Sequence, residues 1–260
     1  MVPQPPDTAS SFTKSSSRAP RGFYAVEAAG LAWLAAAGPE GARVVGVRSV
    51  DDHSITLERL QPARPTRAAA ESFGRALAVT HAAGAAAFGQ GPDGWTGDGF
   101  IGQQAMTLRP TGSWGAFYAE QRLLPFATRA GDRGRLSPAG LRAVERVCHR
   151  LFDGEWDDDL PPARLHGDLW SGNVMFTAAG VVLIDPAAHG GHPVTDLAML
   201  HLFGAPHLAT MTAAYAEAAG WAADYEDLIG LHQLHPLLVH AASHGSAYGQ
   251  EAAAVALRYA

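Results

Sequence analysis

Three polar side chains in this 260-residue sequence have the types and spacing for phosphoryl transfer. Asp168 and Asn173 stand five apart in Leu165-His166-Gly167-Asp168-Leu169-Trp170-Ser171-Gly172-Asn173. Asp185 closes the apolar run Val181-Val182-Leu183-Ile184. D-x-x-x-x-N, a short hairpin and a second Asp is the order of a catalytic loop followed by a metal-holding aspartate. Asp168 would take the proton of an attacking hydroxyl. Asn173 would offer an amide oxygen, and Asp185 a carboxylate, to a Mg²⁺ ion on the phosphates of ATP, because a hard cation takes oxygen ligands.

Positioning these groups is the task of the flanking segments. Val174-Met175-Phe176 and Val181 to Ile184, around Thr177-Ala178-Ala179-Gly180, read as a hairpin that brings Asn173 and Asp185 side by side at its open end. A second constellation lies upstream. Ser11-Phe12-Thr13-Lys14 reads as a short strand and Phe23 to Ala37 as a helix with Phe23, Leu31 and Leu34 inward. Glu27 falls on that inward stripe, where a carboxylate needs a cation, and Lys14 is the candidate. Val44 to Val47 and Ser54 to Leu57 read as strands, and Pro65-Thr66 opens a helix reaching about Ala83, with Phe73 and Leu77 inward. Residues 89–113 read as a long ordered loop. A helix starts at Trp114, and Ser137-Pro138 opens another with Leu141, Val144, Cys148 and Leu151 on one face. Asp196 begins a helix with Leu197, Leu200 and Phe203, and helices follow at about 207–219 and 224–247, the latter interrupted near Pro236.

The expected fold class is therefore α+β and two-lobed. A small antiparallel-sheet lobe covers 1–60, of which 1–10 form a loose proline-rich arm. A hinge covers 61–64, and a larger, mainly helical lobe covers 65–260.

Composition narrows the partners. The net charge is −6, 17% of residues are charged, and Lys14 is the only lysine. Nucleic acid and anionic membranes are not expected partners. One cysteine, Cys148, leaves no disulfide framework. No run approaches the ~18 apolar residues of a bilayer span, and no signal-peptide pattern is present, so a cytoplasmic monomer is expected. Four histidines between His232 and His244 follow no metal-ligand spacing. Asp157-Asp158-Asp159 reads as a solvated turn, with cation attraction as the other reading.

His166 to Asn173, Ile184-Asp185-Pro186-Ala187 and Asp196-Leu197-Ala198-Met199-Leu200 closely resemble the fructosamine kinase (ketosamine-3-kinase) family, a branch of the protein-kinase-like fold shared with aminoglycoside phosphotransferases and choline kinases. Trp170-Ser171-Gly172 is the discriminating part. Further matches are Phe100-Ile101-Gly102, Trp114 to Leu123, Asp132-Arg133-Gly134 and the tail from Leu231 to Tyr248. The resemblance implies an ATP- and Mg²⁺-dependent kinase that phosphorylates the sugar 3-hydroxyl of ketosamines, whether glycated small amines or glycated protein lysines. It makes Lys14 the phosphate-contacting lysine, Glu27 its helix partner, and Asp196, with His166, the structural support of the loop. It places adenine near Glu58–Leu60. Trp170 is open to two readings, a stacking platform for the substrate or a prop under the loop. His189, in the Gly-rich stretch after Asp185, either lines the acceptor site or belongs to the loop alone.

The chain also departs from the family. Only thirteen residues precede Lys14 and none is glycine; the family's glycine-containing flap therefore either lies upstream of this sequence or is shortened, or nucleotide binding is weakened. Met106 and Leu108 stand where a polar pair is usual. Two alternatives follow: an aminoglycoside- or choline-type phosphotransferase, with Asp157–Asp159 drawing a cationic acceptor, and a non-catalytic nucleotide-binding protein.

Overall fold

Lys14 is set by a three-stranded antiparallel sheet. The computed structural model describes residues 10–221 and 223–260; the arm expected over 1–10 lies, apart from Ser10, outside them. Strand β1 (Ser11–Ser15) pairs with β3 (Ser54–Glu58), which pairs with β2 (Val47–Val50), in the order β1-β3-β2. Lys14 is opposite Ile55. Helix α1 (Phe23–Ala35) packs Tyr24 and Leu31 against Ile55 and Leu57 of β3.

The strand expected at Val44–Val47 lies three residues later. Val44 and Val45 instead run beside a strand of the later hairpin: Val45 N donates to Leu183 O and Leu183 N to Arg43 O. Val45 is buried, whereas every residue of β2 is exposed. The apolar run was thus a tie between sheet and hairpin, and hydrophobicity alone did not mark the strand.

Helix α2 (Arg67–Ala82) is N-capped by Thr66, whose hydroxyl accepts from Ala69 N. Within the expected long loop a hairpin forms, β4 (Gly99–Ile101) with β5 (Gln104–Met106). Met106 and Leu108 are both buried in the main core. Helix α3 (Trp114–Phe117) continues through a π-helical turn (Tyr118–Leu123) into α4 (Leu124–Asp132). Ser137 caps α5 (Pro138–Phe152), with Pro138 in the first turn where its missing N–H costs nothing. Val144, Val147, Cys148 and Leu151 of α5 are buried as one stripe. Each contributes roughly 1.5–3 kcal/mol of burial, and Leu151→Ala would cost about 2–5 kcal/mol. Burial also pushes the Cys148 thiol up to about 12, so it is an inert core residue.

Strand β6 (Ala163–Leu165) leads into the Asp168 loop and pairs with β9 (His189–Gly191). The expected hairpin is β7 (Val174–Thr177) with β8 (Gly180–Leu183), Val174 opposite Leu183. Ala63, in the segment read as a hinge, donates its N–H to Phe176 O at 2.8 Å and so lies along this hairpin.

Helices α6 (Val194–Phe203), α7 (Leu208–Ala219), α8 (Ile229–Ser243) and α9 (Ser246–Tyr259) complete the fold. The single helix expected over 224–247 is instead a 3₁₀ segment, α8 and the start of α9, with the break at His244-Gly245 rather than at Pro236. Proline is accommodated mid-helix because the one carbonyl it leaves without a helical donor, His232 O, finds another: Tyr118 Oη lies 3.0 Å from it and itself accepts from His235 N at 3.2 Å. Among the described residues no helix is long and apolar enough to cross a membrane.

Candidate active site

The Asp168 loop is held from beneath by one buried carboxylate. Asp196, in the first turn of α6, accepts from His166 N (2.8 Å) and Gly167 N (2.9 Å). Burial works against its charge, but the His81 hydrogen bond and the loop donors more than offset that and hold its pKa below the ordinary value. His166 ties the loop to the strand that carries Asp185. Its Nε2–H donates to Ile184 O at 2.9 Å and its Nδ1 accepts from Asp168 N at 3.2 Å, which defines the neutral tautomer. Burial keeps that ring neutral by lowering its pKa. Ala187 N donates back to His166 O at 2.9 Å. Gly167 makes this contact possible: at φ 80° it passes so close to Ala187 that a Cβ would stand 2.2 Å from the carbonyl oxygen.

Asn173 closes the loop. Its NH₂ donates to Asp168 O at 2.8 Å and lies 3.3 Å from Asp168 Oδ2. The NH₂ is thereby committed to the loop, and the amide oxygen is the group left to offer to a cation. Asp185 sits at φ 55°, one of two non-glycine residues with positive φ among the described residues, with its side chain 45% exposed. A non-glycine residue in the left-handed region is uncommon and tends to mark a functional turn.

From the sheet side, Lys14 Nζ contacts Glu27 Oε1 at 2.5 Å and Asp185 Oδ1 at 2.6 Å. Burial opposes the Lys14 charge, but the two carboxylates outweigh it and hold the ammonium above its usual range. Burial pushes Glu27 up, with Lys14 drawing it back.

These groups line one cleft of about 380 Å³: Lys14, Glu27, Asp168, Trp170, Asn173 and Asp185 all face it. A second cleft of about 650 Å³ shares Asp168, Trp170, Gly102 and Gln103 with the first and continues along Phe203, His240, His244 and Tyr248. Asp168 therefore stands where the two meet. It is half-buried, and its carboxyl is raised to about 7, first by burial, then by the charges of Asp185 and Asp196, against the pull of the Asn173 hydrogen bond. A general base is most effective with a pKa near the working pH. Trp170 is 42% exposed. Its ring folds back over Gly172, where a Cβ would meet the indole at 2.3 Å, which explains the glycine of Trp-Ser-Gly.

Other expected residues lie elsewhere. His189 is buried in β9, with Nδ1 bonded to Ala187 O at 2.8 Å and its pKa lowered to about 3 by burial, and it lines neither cleft. The Gly-rich stretch turns inward there because β9 must pair with β6. Glu58 is engaged by Arg43 at 2.6 Å, and Leu60 packs against the sheet core; neither lines the two clefts. Asp157 accepts from Gly115 N at 2.8 Å and Asp158 lies 3.1 Å from His192 Nε2, so the acidic turn braces the helical core away from Asp168. His240 and His244, weighed in the sequence only against metal binding, line the second cleft. The signal that could have found them was the spacing of four between His240, His244 and Tyr248.

The family model for fructosamine kinase matches residues 6–259. A Thermus thermophilus protein named as a probable ketoamine kinase is 32% identical over 236 residues, covering 90% of this chain and 82% of its own. The solved structure of a protein from Thermobifida fusca YX-ER1, described as a putative fructosamine-3-kinase, superimposes with a TM-score of 0.86 at 46% identity, over 95% of this chain and 85% of that one. A thermostable mutant of an aminoglycoside phosphotransferase, at 17% identity and TM-score 0.58 over 95% and 86% of the two chains, shares the protein-kinase-like fold. The chain thus belongs to the fructosamine kinase family, phosphotransferases with an alcohol group as acceptor.

Proposed function

We propose that the protein phosphorylates the sugar 3-hydroxyl of ketosamines of the fructosamine or ribulosamine type, with ATP as donor. The observation that carries this reading is the meeting of two clefts at Asp168: one holds Lys14, Asn173 and Asp185, the other is walled by Trp170, Phe203, His240 and Tyr248. Triphosphate belongs in the first and the sugar in the second.

Asn173 and Asp185 fit Mg²⁺, with an amide oxygen and a half-exposed carboxylate facing one space. Such an ion takes one or two protein oxygens and completes its shell from phosphate and water. When bound there, Mg²⁺ would neutralise phosphate charge. Lys14, aligned by Glu27, is placed to bind the phosphates in place of its contact with Asp185. Asp168 accepts the hydroxyl proton and aims the oxygen at the donor. Trp170 presents a flat face to the sugar, a role its exposure favours over that of a prop. We take 1–60 and 65–260 as the lobes that bring these groups together and 61–64 as the linker.

The acidic turn lines neither cleft, which argues against its drawing a cationic acceptor and leaves only the net charge of −6 for that alternative. The base, the metal pair and the lysine share one cleft, which argues against a non-catalytic scaffold. The test is ADP release with ribulosamine and fructosamine acceptors, repeated with Asp168→Asn. Acceptor-dependent turnover lost in the variant is expected. A wild-type protein that binds ATP yet turns over neither acceptor refutes the reading.

A further inference from the structure

Asp196 has a third donor that belongs to neither the loop nor its own helix. His81, near the end of α2, places Nε2 3.1 Å from Asp196 Oδ2. Its other nitrogen, Nδ1, lies 2.8 Å from Tyr215 Oη on α7. The two rings meet edge to face at 5.4 Å. His81 is 3% exposed, Tyr215 2% and Asp196 1%. An acceptor nitrogen facing a carboxylate would be repelled, so Nε2 carries a hydrogen. In the neutral ring Nδ1 is then the acceptor and takes the Tyr215 hydroxyl hydrogen. The hydroxyl thus fixes which nitrogen faces Asp196, and that nitrogen fixes the carboxylate that holds His166 N and Gly167 N.

We infer that His81 and Tyr215 are positioning residues for phosphoryl transfer, setting the catalytic loop through Asp196. This rests on the role of Asp168 proposed above. Without His81 the Oδ2 atom keeps only one donor, His166 N, in a buried site, where a carboxylate is costly unless fully bonded. Its rotamer is then free to turn, and Asp168 lies one residue beyond the amides it holds. Both residues also line a cleft of about 310 Å³ between α2 and α7 that shares no lining residue with the two clefts at Asp168.

The test compares His81→Leu, His81→Gln and Tyr215→Phe. Glutamine restores a side-chain N–H donor and leucine does not. We expect His81→Leu to lower kcat about tenfold to a hundredfold, the scale of a small misplacement of a catalytic group, while KM for nucleotide and acceptor stays within about twofold, as for an interaction felt only in the transition state. His81→Gln should recover most of the loss, and Tyr215→Phe should fall between. Amide hydrogen exchange at His166 and Gly167 is a second readout that needs no acceptor: it should accelerate in His81→Leu and return toward wild type in His81→Gln. A folded His81→Leu protein with unchanged exchange at both amides overturns the inference. So does a loss confined to KM, or a glutamine variant no better than leucine. If the wild type shows no turnover with ketosamines, the acceptor reading fails while the exchange comparison still decides this one.

Discussion

The raised carboxyl of Asp168 has a consequence for stability that can be measured apart from catalysis. In the unfolded chain an aspartate titrates near 3.9; in the fold Asp168 titrates at about 7. The native state therefore holds a proton that the unfolded state has released across this interval, and its stability falls as pH rises from about 4 through 7. That difference between the two states corresponds to ~4 kcal/mol. Asp168 is only half-buried, so solvent screening reduces the expected penalty to roughly 2–4 kcal/mol. Asp168→Asn keeps the shape and removes the charge. At pH 8 it should unfold at a higher denaturant midpoint than the wild type, with Tm raised by about 4–16 °C, taking ~2–4 °C per kcal/mol for a chain of this size. The gap should close as pH falls toward 4. The same variant should lose about 10²–10⁴ in kcat, the usual scale of a general base. Parallel urea titrations from pH 4 to 8, beside the ADP-release assay, test both. An asparagine variant no more stable than wild type at pH 8, or a gap independent of pH, would show that burial does not raise this carboxyl.

Three further outcomes follow from the site. Lys14→Met should raise the KM for ATP at least tenfold and lower stability at neutral pH by about 1–3 kcal/mol, because Glu27 loses the cation it faces at 2.5 Å; steady-state kinetics and urea denaturation report each. Gly172→Ala should displace the Trp170 indole and raise the acceptor KM several-fold while leaving the nucleotide KM unchanged, as should Trp170→Ala; initial-rate kinetics with each substrate varied separate the two. Tyr118→Phe should cost about 1–3 kcal/mol by leaving the His232 carbonyl below Pro236 without its donor and His235 N without its acceptor, with kcat unchanged; thermal unfolding and the same turnover assay check it.

The sequence was most legible where chemistry and spacing coincide. Asp168, Asn173 and Asp185 stand in loop and hairpin positions with no packing reason to be polar, and the hairpin between them has a turn that only one register fits. Glu27 was legible because a carboxylate on an apolar stripe demands a cation. What escaped depended on contacts between distant segments. Val44-Val45 read as a strand because apolar alternation cannot say which neighbour buries it, and the neighbour is β8. His189 looked available because Gly-rich stretches usually face solvent, yet pairing of β9 with β6 turns it inward. Pro236 looked like a helix break because its compensating donor, Tyr118, lies 118 positions earlier. His81 and Tyr215 carried no local signal: each is a plain helix residue until Asp196 arrives between them.

Lys14 is the only lysine in the chain, and it is spent on two carboxylates in the cleft it shares with Asp168. Reagents that seek ε-amines, such as activated esters or aldehyde cross-linkers, therefore find no target on the outer surface. Immobilising or labelling the protein through lysine would strike the cleft proposed above for the phosphates, whereas none of its eighteen arginines lines that cleft. Reducing sugars meet the same shortage. A protein of a family that acts on sugars joined to amines offers almost no side-chain amine of its own to be joined.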